Sequence, residues 1–516
     1  MVCPIGEVKD DEYGLKYHDT KSSESSNNKT NDDYNDNHGS TKDQKTKKDN
    51  SSSNNDNKKK VYIHSRDQSW LASFDDYYQK NKNLGSWNAI LISFVASMGL
   101  VRELSLQKHL TSPPHIFSQD GNKQMPEYFD RNICPSLFIG TRSKLASTAA
   151  YILPHHHEHT KVIYETINTL SWGGSCVLEW HLPQFYHRIY NSSTEEKSIR
   201  RVIEGNISTP IVLLLHGINN SASFGYMKRL AQTITDKLQW IAIAMNFRGC
   251  SSKNKLTTPR GYNAGYTGDL RMVFQILKSR SSSHFFCVGH SLGANLLCKY
   301  LGEEGSSSIL TGAASLANPL KIHSNNVPFP YNFLIGWGIQ KYIRQNYHSF
   351  SSMDRTFTRT LHSALDPTKT IGQIDQFLAP HLLRNTKETT ELGFADAEEY
   401  WKDASSIRFI SEIQTPILLL VSQDDDLINT SMHQYLHHCV STNPNITVVQ
   451  TRCGGHLGWQ ESCPSGESSL QSWSDMAIIE YFQHLYLQQP QTEYHETFSQ
   501  RDNDKGTTAP QIKSKL

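Results

Sequence analysis

From about residue 160 onward, short apolar runs alternate with stretches whose apolar positions return every three or four residues. VIYETINTL (162–170) and SCVLEWH (175–181) flank Gly173-Gly174 and predict a hairpin. PIVLLLH (210–216), WIAIAMNF (240–247), HFFCVG (284–289), TGAASLA (311–317), PILLLVS (416–422) and ITVVQ (446–450) follow as further strands. These runs lack strict in-out alternation, as strands covered on both faces should. Between them, Leu270, Val273, Phe274 and Leu277 mark one helix, and Ile478, Tyr481, Phe482 and Leu485 mark another near the end. Strands alternating with helices predict an α/β fold, a mostly parallel eight-stranded sheet with helices on both faces. Residues 320–405 break the rhythm. They are rich in aromatic residues and too long for a simple loop, so they predict a helical lid insertion.

The rest of the chain reads differently. Residues 21–60 hold one apolar residue, Tyr34, and Ser, Asn, Asp, Lys and Thr supply 35 of the 40 positions. Such a stretch cannot bury enough apolar area to offset its ordering entropy, so 1–60 is expected to be disordered, as is 489–516. Residues 61–130 are expected to form an N-terminal extension, and 131–488 the main folded domain. Within the extension, LGSWNAILISFVASMGLV (84–101) carries no charge and just reaches the length of a membrane-spanning helix. Ser86, Asn88, Ser93 and Ser97 dilute it, and the competing reading is a helix packed on the following domain. Membrane association through 84–101 is therefore one expectation and a cytoplasmic protein the other. The start, MVCPIGEVKDDEYG, has no apolar core of a secretory signal, so secretion is not expected.

Composition adds exclusions. The 51 basic and 50 acidic residues nearly cancel, which gives no general nucleic-acid-binding surface. Apolar residues make up 37% of the whole chain, but setting the polar start aside raises the share to roughly 40%, enough for one sizeable core. The nine cysteines are odd in number and form no CxxC pair, which argues against a disulfide framework or a zinc ribbon. His155-His156-His157-Glu158-His159 suggests a metal cluster, yet adjacent histidines cannot all converge on one ion, and no metal or other cofactor is expected. Cys250, Cys287 and Cys298 are expected to serve packing.

The chemistry centres on Gly289-His290-Ser291-Leu292-Gly293. The GxSxG pattern alone is weak. Here HFFCV leads in as a strand and ANLLCKYL leaves as a helix, which is the strand–turn–helix of a nucleophile elbow. A serine hydroxyl needs a base, and the base needs an orienting acid. In the elbow fold these follow in the order serine, acid, histidine. Asp424-Asp425-Asp426 follows PILLLVS, and His456 follows ITVVQ in a glycine-rich loop. The residues themselves do not choose among the three aspartates. An oxyanion needs donors, and His216-Gly217-Ile218-Asn219 follows a strand where the second donor loop belongs. The backbone N–H groups of Leu292 and Ile218 are the expected pair.

Together these stretches resemble the type-four branch of the α/β-hydrolase superfamily, over about 130–488. That branch includes plant embryogenesis-associated proteins, bacterial YheT-like esterases, yeast medium-chain ethyl-ester synthase/esterases, and animal monoacylglycerol or phospholipid lipases. The similar segments are LLLHGINN, NFRGCSS with YNAGYTGDL, GHSLGANLLCKYLGEEG and GGHLGW. A longer signature runs from Gly393-Phe394 through Glu399-Tyr400-Trp401, Ser405, Ile413 and Pro416 to Asp424-Asp425. In the family the second acid of that closing pair belongs to the triad, which implies Asp425. Trp401 stands where the family usually has Tyr, and Asp426-Leu427 where it usually has Pro. The resemblance implies a serine hydrolase of carboxylic esters, with a lipid or medium-chain ester as its small-molecule partner and Ser291, Asp425 and His456 as its triad. Two other readings are weighed against it: transfer of the acyl group to an alcohol by the same triad, and a non-catalytic binding protein on this fold. Oligomeric state is not legible in the sequence.

Overall fold

The computed structural model describes residues 86–490, except 120–124, 153–161, 169–172, 190–202, 204, 206, 254, 353–354, 386–389 and 463–470. The expected disordered segments, except 489–490, lie outside the described residues, as do the histidine cluster at 155–159 and the tip of the first hairpin.

Nine strands form one sheet: β1 (His115–Ser118), β2 (Val162–Asn168), β3 (Ser175–His181), β4 (Ile211–Leu215), β5 (Ile241–Asn246), β6 (Phe285–His290), β7 (Leu310–Leu316), β8 (Ile417–Ser422) and β9 (Ile446–Thr451). Their order is β1-β9-β8-β7-β6-β4-β5-β3-β2. The six from β4 to β9 run parallel, and β2, β3 and β1 pair antiparallel at the two edges. All eight expected runs enter the sheet. The ninth, HIFS at β1, is only four residues long and covers the edge of β9.

The parallel strands explain their unbroken apolar runs. Ile211, Leu213 and Leu215 of β4 face one helical layer, while Val212 and Leu214 face the other. The first layer contains α4 (Gly268–Arg280) and α5 (Leu292–Glu304), and the second contains α3 (Gly225–Thr233) and α9 (Trp473–Leu487). A strand buried on both sides has no polar face to show. The predicted stripe Leu270, Val273, Phe274 and Leu277 is the buried side of α4. Cys287 and Cys298 lie buried in the first layer with Cys250 at its margin, which is the packing role expected of them.

Residues 320–405 are a mostly helical insertion between β7 and β8. It includes α6 (Tyr331–Gln345), α7 (Ile371–Leu378) and α8 (Ala397–Ala404), with a small ribbon of Leu383–Asn385 against Thr390–Leu392. Thr370 begins α7 with a capping box, accepting from Gln373 N–H while the Gln373 side chain accepts from Thr370 N–H. The lid is tied to the sheet beneath it: Tyr342 on α6 donates to the Arg248 carbonyl, and the Asn219 side chain donates to the Ile335 carbonyl.

From Ser86 onward the uncharged segment at 84–101 belongs to α1 (Ser86–Leu110), while 84–85 lie outside the described residues. Among the described residues no helix is long and apolar enough to cross a membrane. The helix continues through Arg102, Glu103 and Lys108, and its serines and asparagine dilute the apolar run. Beyond residue 101 the C-terminal part of the helix packs on the folded domain. There the buried Glu103 carboxylate meets Thr141 Oγ1 and the Arg142 guanidinium, and Gln107 donates to the Pro135 carbonyl. In the preceding turns Ile92, Phe94, Val95, Met98 and Val101 are 56–66% exposed.

One buried ion pair joins several layers. Arg248, after β5, is wholly buried and grips Asp269 of α4 with Nε and Nη2, each at 2.6 Å. Gly174 beside β3 lies on this guanidinium: a Cβ there would stand 2.3 Å from Nη1. Removing one partner of a buried pair leaves the other charge uncompensated. Asp269→Ala is therefore expected to lower stability by about 3–5 kcal/mol. Urea midpoints measure it, and a paired Arg248→Met/Asp269→Leu variant should lose less than either single change.

Candidate active site

The site sits where the parallel strands change direction of progression. β4 lies between β5 and β6, so the loops after β4 and β6 emerge side by side at the carboxyl ends of their strands. Open α/β sheets bind ligands at such a point.

Ser291 forms the whole link between β6 and α5. Its backbone is at φ 54°, ψ −113°, a conformation L-residues rarely adopt. Two glycines make the turn sterically feasible. A Cβ on Gly289 would stand 2.5 Å from the Gly293 carbonyl, and one on Gly293 2.7 Å from the carbonyls of Leu215 and His216. Ser291 N–H donates to the Leu316 carbonyl at 2.8 Å, and the Ser291 carbonyl accepts from Asn295 N–H. His290 and His216 flank the serine but are not bases. Burial pushes His290 down to about 3 and His216 down to about 4, so both are neutral near pH 7. His290 Nδ1 holds the Leu215 carbonyl at 3.0 Å. His216 donates from Nδ1 to the Gly217 carbonyl and accepts Phe247 N–H at Nε2, a single consistent tautomer.

That histidine helps shape the next loop. Gly217 N–H donates to Tyr226 Oη and Asn219 N–H to Tyr262 Oη, so the backbone is pinned on both sides of Ile218. A Cβ on Gly217 would stand 3.3 Å from Ser291 Cβ, which measures how closely the two loops approach. Ile218, Leu292 and Ser291 line one cavity of about 160 Å³ beneath the lid.

His456 is fully buried. Its Nε2 lies 2.9 Å from Ser291 Oγ and its Nδ1 2.9 Å from Asp425 Oδ2. These distances join residues 165 and 31 positions apart in the chain. The other oxygen of Asp425 accepts from the N–H groups of Leu427 and Ile428 at 2.9 and 3.0 Å, which fixes its plane. Asp424 faces elsewhere: its Oδ1 accepts from Ser422 Oγ and from Gly455 N–H at 2.8 Å. Burial raises the Asp424 carboxyl above its usual range. Asp426 meets Ser147 and Tyr331. Gly455 has φ 56°, and a Cβ there would stand 2.6 Å from Ser147 Oγ, so the histidine loop lies directly on α2 (Ser143–Ile152). Ser147 accepts His456 N–H at 2.7 Å. Sequence reasoning missed Ser147, and no local signal marks it, because its role comes from a contact 309 residues away.

The rest of the cavity is largely apolar. Ile335, Ile339 and Ile343 come from α6, with Phe350 and Phe357 behind them. Asp375 on α7 is one of the polar residues that also line it, and burial pushes its carboxyl up to about 7. It accepts Trp401 Nε1–H at 2.8 Å. Trp401, the residue that departs from the resembled family's usual Tyr, thus fastens α8 to α7.

Two stability predictions follow from these strains. A backbone in this region costs about 1–3 kcal/mol for a residue with a Cβ. Ser291→Gly should therefore be more stable than Ser291→Ala by about 1 kcal/mol, read from urea unfolding. Between roughly pH 4 and 7 the native Asp375 keeps a proton that the unfolded chain has lost. The native state then binds more protons, so this residue's contribution to stability falls as pH rises through that window. Asp375→Asn, which can still accept from Trp401, should gain stability relative to the parent between pH 5 and pH 8. An unchanged difference between those two pH values would refute the assignment.

A family model described as the alpha/beta hydrolase fold matches residues 210–459. Among curated proteins, the chain is 30% identical to the monoacylglycerol lipase of Saccharomyces cerevisiae, over 48% of this chain and 55% of that protein. It is 28% identical to the medium-chain fatty acid ethyl ester synthase/esterase 2 of the same yeast, over 54% of this chain and 62% of that one. It is 26% identical to the embryogenesis-associated protein EMB8 of Picea glauca, over 73% of this chain and 81% of that one. The matched region therefore spans less than two thirds of either yeast relative. With its sheet order, its strand–serine–helix turn and this match, the chain has the α/β-hydrolase fold.

Proposed function

We propose that the protein is a serine hydrolase of carboxylic esters, acting on lipid or medium-chain acyl esters through a Ser291–His456–Asp425 triad. The observation that carries this reading is the pair of 2.9 Å contacts on the two ring nitrogens of His456. Both fall within the reach a general base needs. Ser291 Oγ attacks the acyl carbonyl while His456 Nε2 takes its proton. The tetrahedral oxyanion is held by the N–H groups of Leu292 and Ile218. His456 then gives the proton to the leaving alcohol, and Asp425 orients the ring and stabilises the imidazolium. Water, deprotonated by His456, attacks the acyl-enzyme and releases the acid. The whole cycle runs on side chains and backbone, with no cofactor.

The substrate class rests on two supports. The relatives in yeast are named for monoacylglycerol and medium-chain ester chemistry, and the cavity wall is mostly apolar, suited to an acyl chain. The catalytic unit is 131–488 with the lid at 320–405. The exposed apolar turns of α1 offer a surface at which the protein would associate with a membrane carrying such lipids.

A fluorophosphonate probe and p-nitrophenyl ester turnover on the full chain test the reading together. Ser291 should be labelled, and Ser291→Ala should abolish both labelling and turnover while unfolding normally. Asp425→Asn should lower kcat on the order of 10³–10⁴-fold. Asp424→Asn should cost far less, because an amide oxygen can still accept Gly455 N–H. Equal losses would move the acid to Asp424, and an unlabelled Ser291 in folded protein would sink the hydrolase reading. With ethanol present, ethyl ester formed in place of free acid would reassign the second step to acyl transfer.

A further inference from the structure

The acid loop does more than present Asp425. Its next residue, Asp426, uses its two oxygens on two different parts of the molecule. Oδ1 accepts Ser147 Oγ–H at 2.5 Å, from α2. Oδ2 accepts the hydroxyl of Tyr331, the first residue of the lid helix α6. Ser147 in turn accepts the backbone N–H of His456 at 2.7 Å. A continuous chain of hydrogen bonds thus runs from the first turn of the lid, through Asp426 and Ser147, to the backbone of the histidine.

The other end of the same contact set is the remainder of α6. Ile335, Ile339 and Ile343 wall the cavity, and the Ile335 carbonyl is held by Asn219 of the loop proposed to bind the oxyanion. That packing is close: a Cβ on Gly338 would stand 2.1 Å from Asn219 Nδ2. Moving α6 therefore disturbs the cavity wall, Asn219 and Asp426 at once.

We propose that Asp426 is a positioning residue that couples the seating of the lid helix to the alignment of His456, through Ser147. It touches neither substrate nor the reacting atoms. Its effect is to hold the His456 backbone where the ring meets both Ser291 and Asp425, and to do so fully only when Tyr331 is docked. The proposal rests on the serine-hydrolase reading above.

A double-mutant cycle on the full chain tests it, with kcat and KM for a short soluble ester, p-nitrophenyl butyrate. Tyr331→Phe keeps the ring and removes only the hydroxyl. It should lower kcat about tenfold with KM within a factor of about two, since misplacing a catalytic group slows chemistry more than it weakens binding of a small substrate. Ser147→Ala should lower kcat by a similar or larger factor, and Ser147→Thr should recover most of it by restoring a hydroxyl. In the Ser147→Ala background, Tyr331→Phe should have no further effect on kcat. Thermal unfolding of each variant shows that folded protein is compared. If Tyr331→Phe lowers kcat equally in both backgrounds, or leaves kcat unchanged in the parent, the coupling is overturned. A parent chain that turns over no ester and takes no fluorophosphonate overturns the hydrolase reading instead, and the coupling falls with it.

Discussion

The site depends on one steric event, the passage from strand to helix through a single residue. Ser291 carries a backbone that a side chain disfavours, and it does so because everything around it leaves no alternative. Its N–H is held by Leu316 of β7 and its carbonyl by the first turn of α5. Gly289 and Gly293 let backbone touch backbone where any Cβ would collide. The consequence is a hydroxyl raised off the end of the sheet at the base of the cavity, next to the start of a helix whose N–H groups point the same way. The buried, neutral His290 and His216 belong to this scaffold. Their burial removes their charge, and their ring nitrogens are spent on the main chain of neighbouring strands and loops.

The histidine side is built on a different principle. His456 lies on a loop with positive φ at Gly454, Gly455, Leu457 and Trp459, which no helix or strand stabilises. It is fixed instead by hydrogen bonds, among them Gly455 N–H to Asp424, His456 N–H to Ser147, Ser422 Oγ–H to the Gly455 carbonyl, and Trp459 Nε1–H to Thr451. Serine placement is thus a property of local chain geometry, whereas histidine placement is a property of long-range contacts.

That difference decides what the sequence could reveal. The elbow, the order of serine, acid and histidine, and the parallel sheet were legible because each leaves a local pattern: glycines two residues either side of Ser291, and apolar runs without alternation. The lid was legible as an interruption of that rhythm. Choosing among three adjacent aspartates was not legible from spacing, because which carboxylate faces His456 depends on the turn at 424–428. The family resemblance pointed to Asp425, and the 2.9 Å contact to His456 lies there. β1 left too short an apolar trace to read. The charge-free stretch at 84–101 suggested burial or a membrane span, but composition does not say what a helix packs against. The contacts at Glu103 and Gln107 lie further along the helix, beyond that stretch.

The run Asp424-Asp425-Asp426 also has an electrostatic logic. Three carboxylates side by side repel one another, and the burial of Asp424 is itself costly. They are tolerated because each faces a separate set of donors: Ser422 and Gly455, then Leu427, Ile428 and His456, then Ser147 and Tyr331. Every one of those donors is a neutral hydroxyl or amide except the imidazole. Among the hydrogen bonds of the described residues, no lysine or arginine neutralises the loop. The group in direct contact with the loop that can take a positive charge is His456, and in the proposed reaction it does so when it takes the proton from Ser291. Under that proposal, a loop left short of cations in the resting state favours the imidazolium of the transition state.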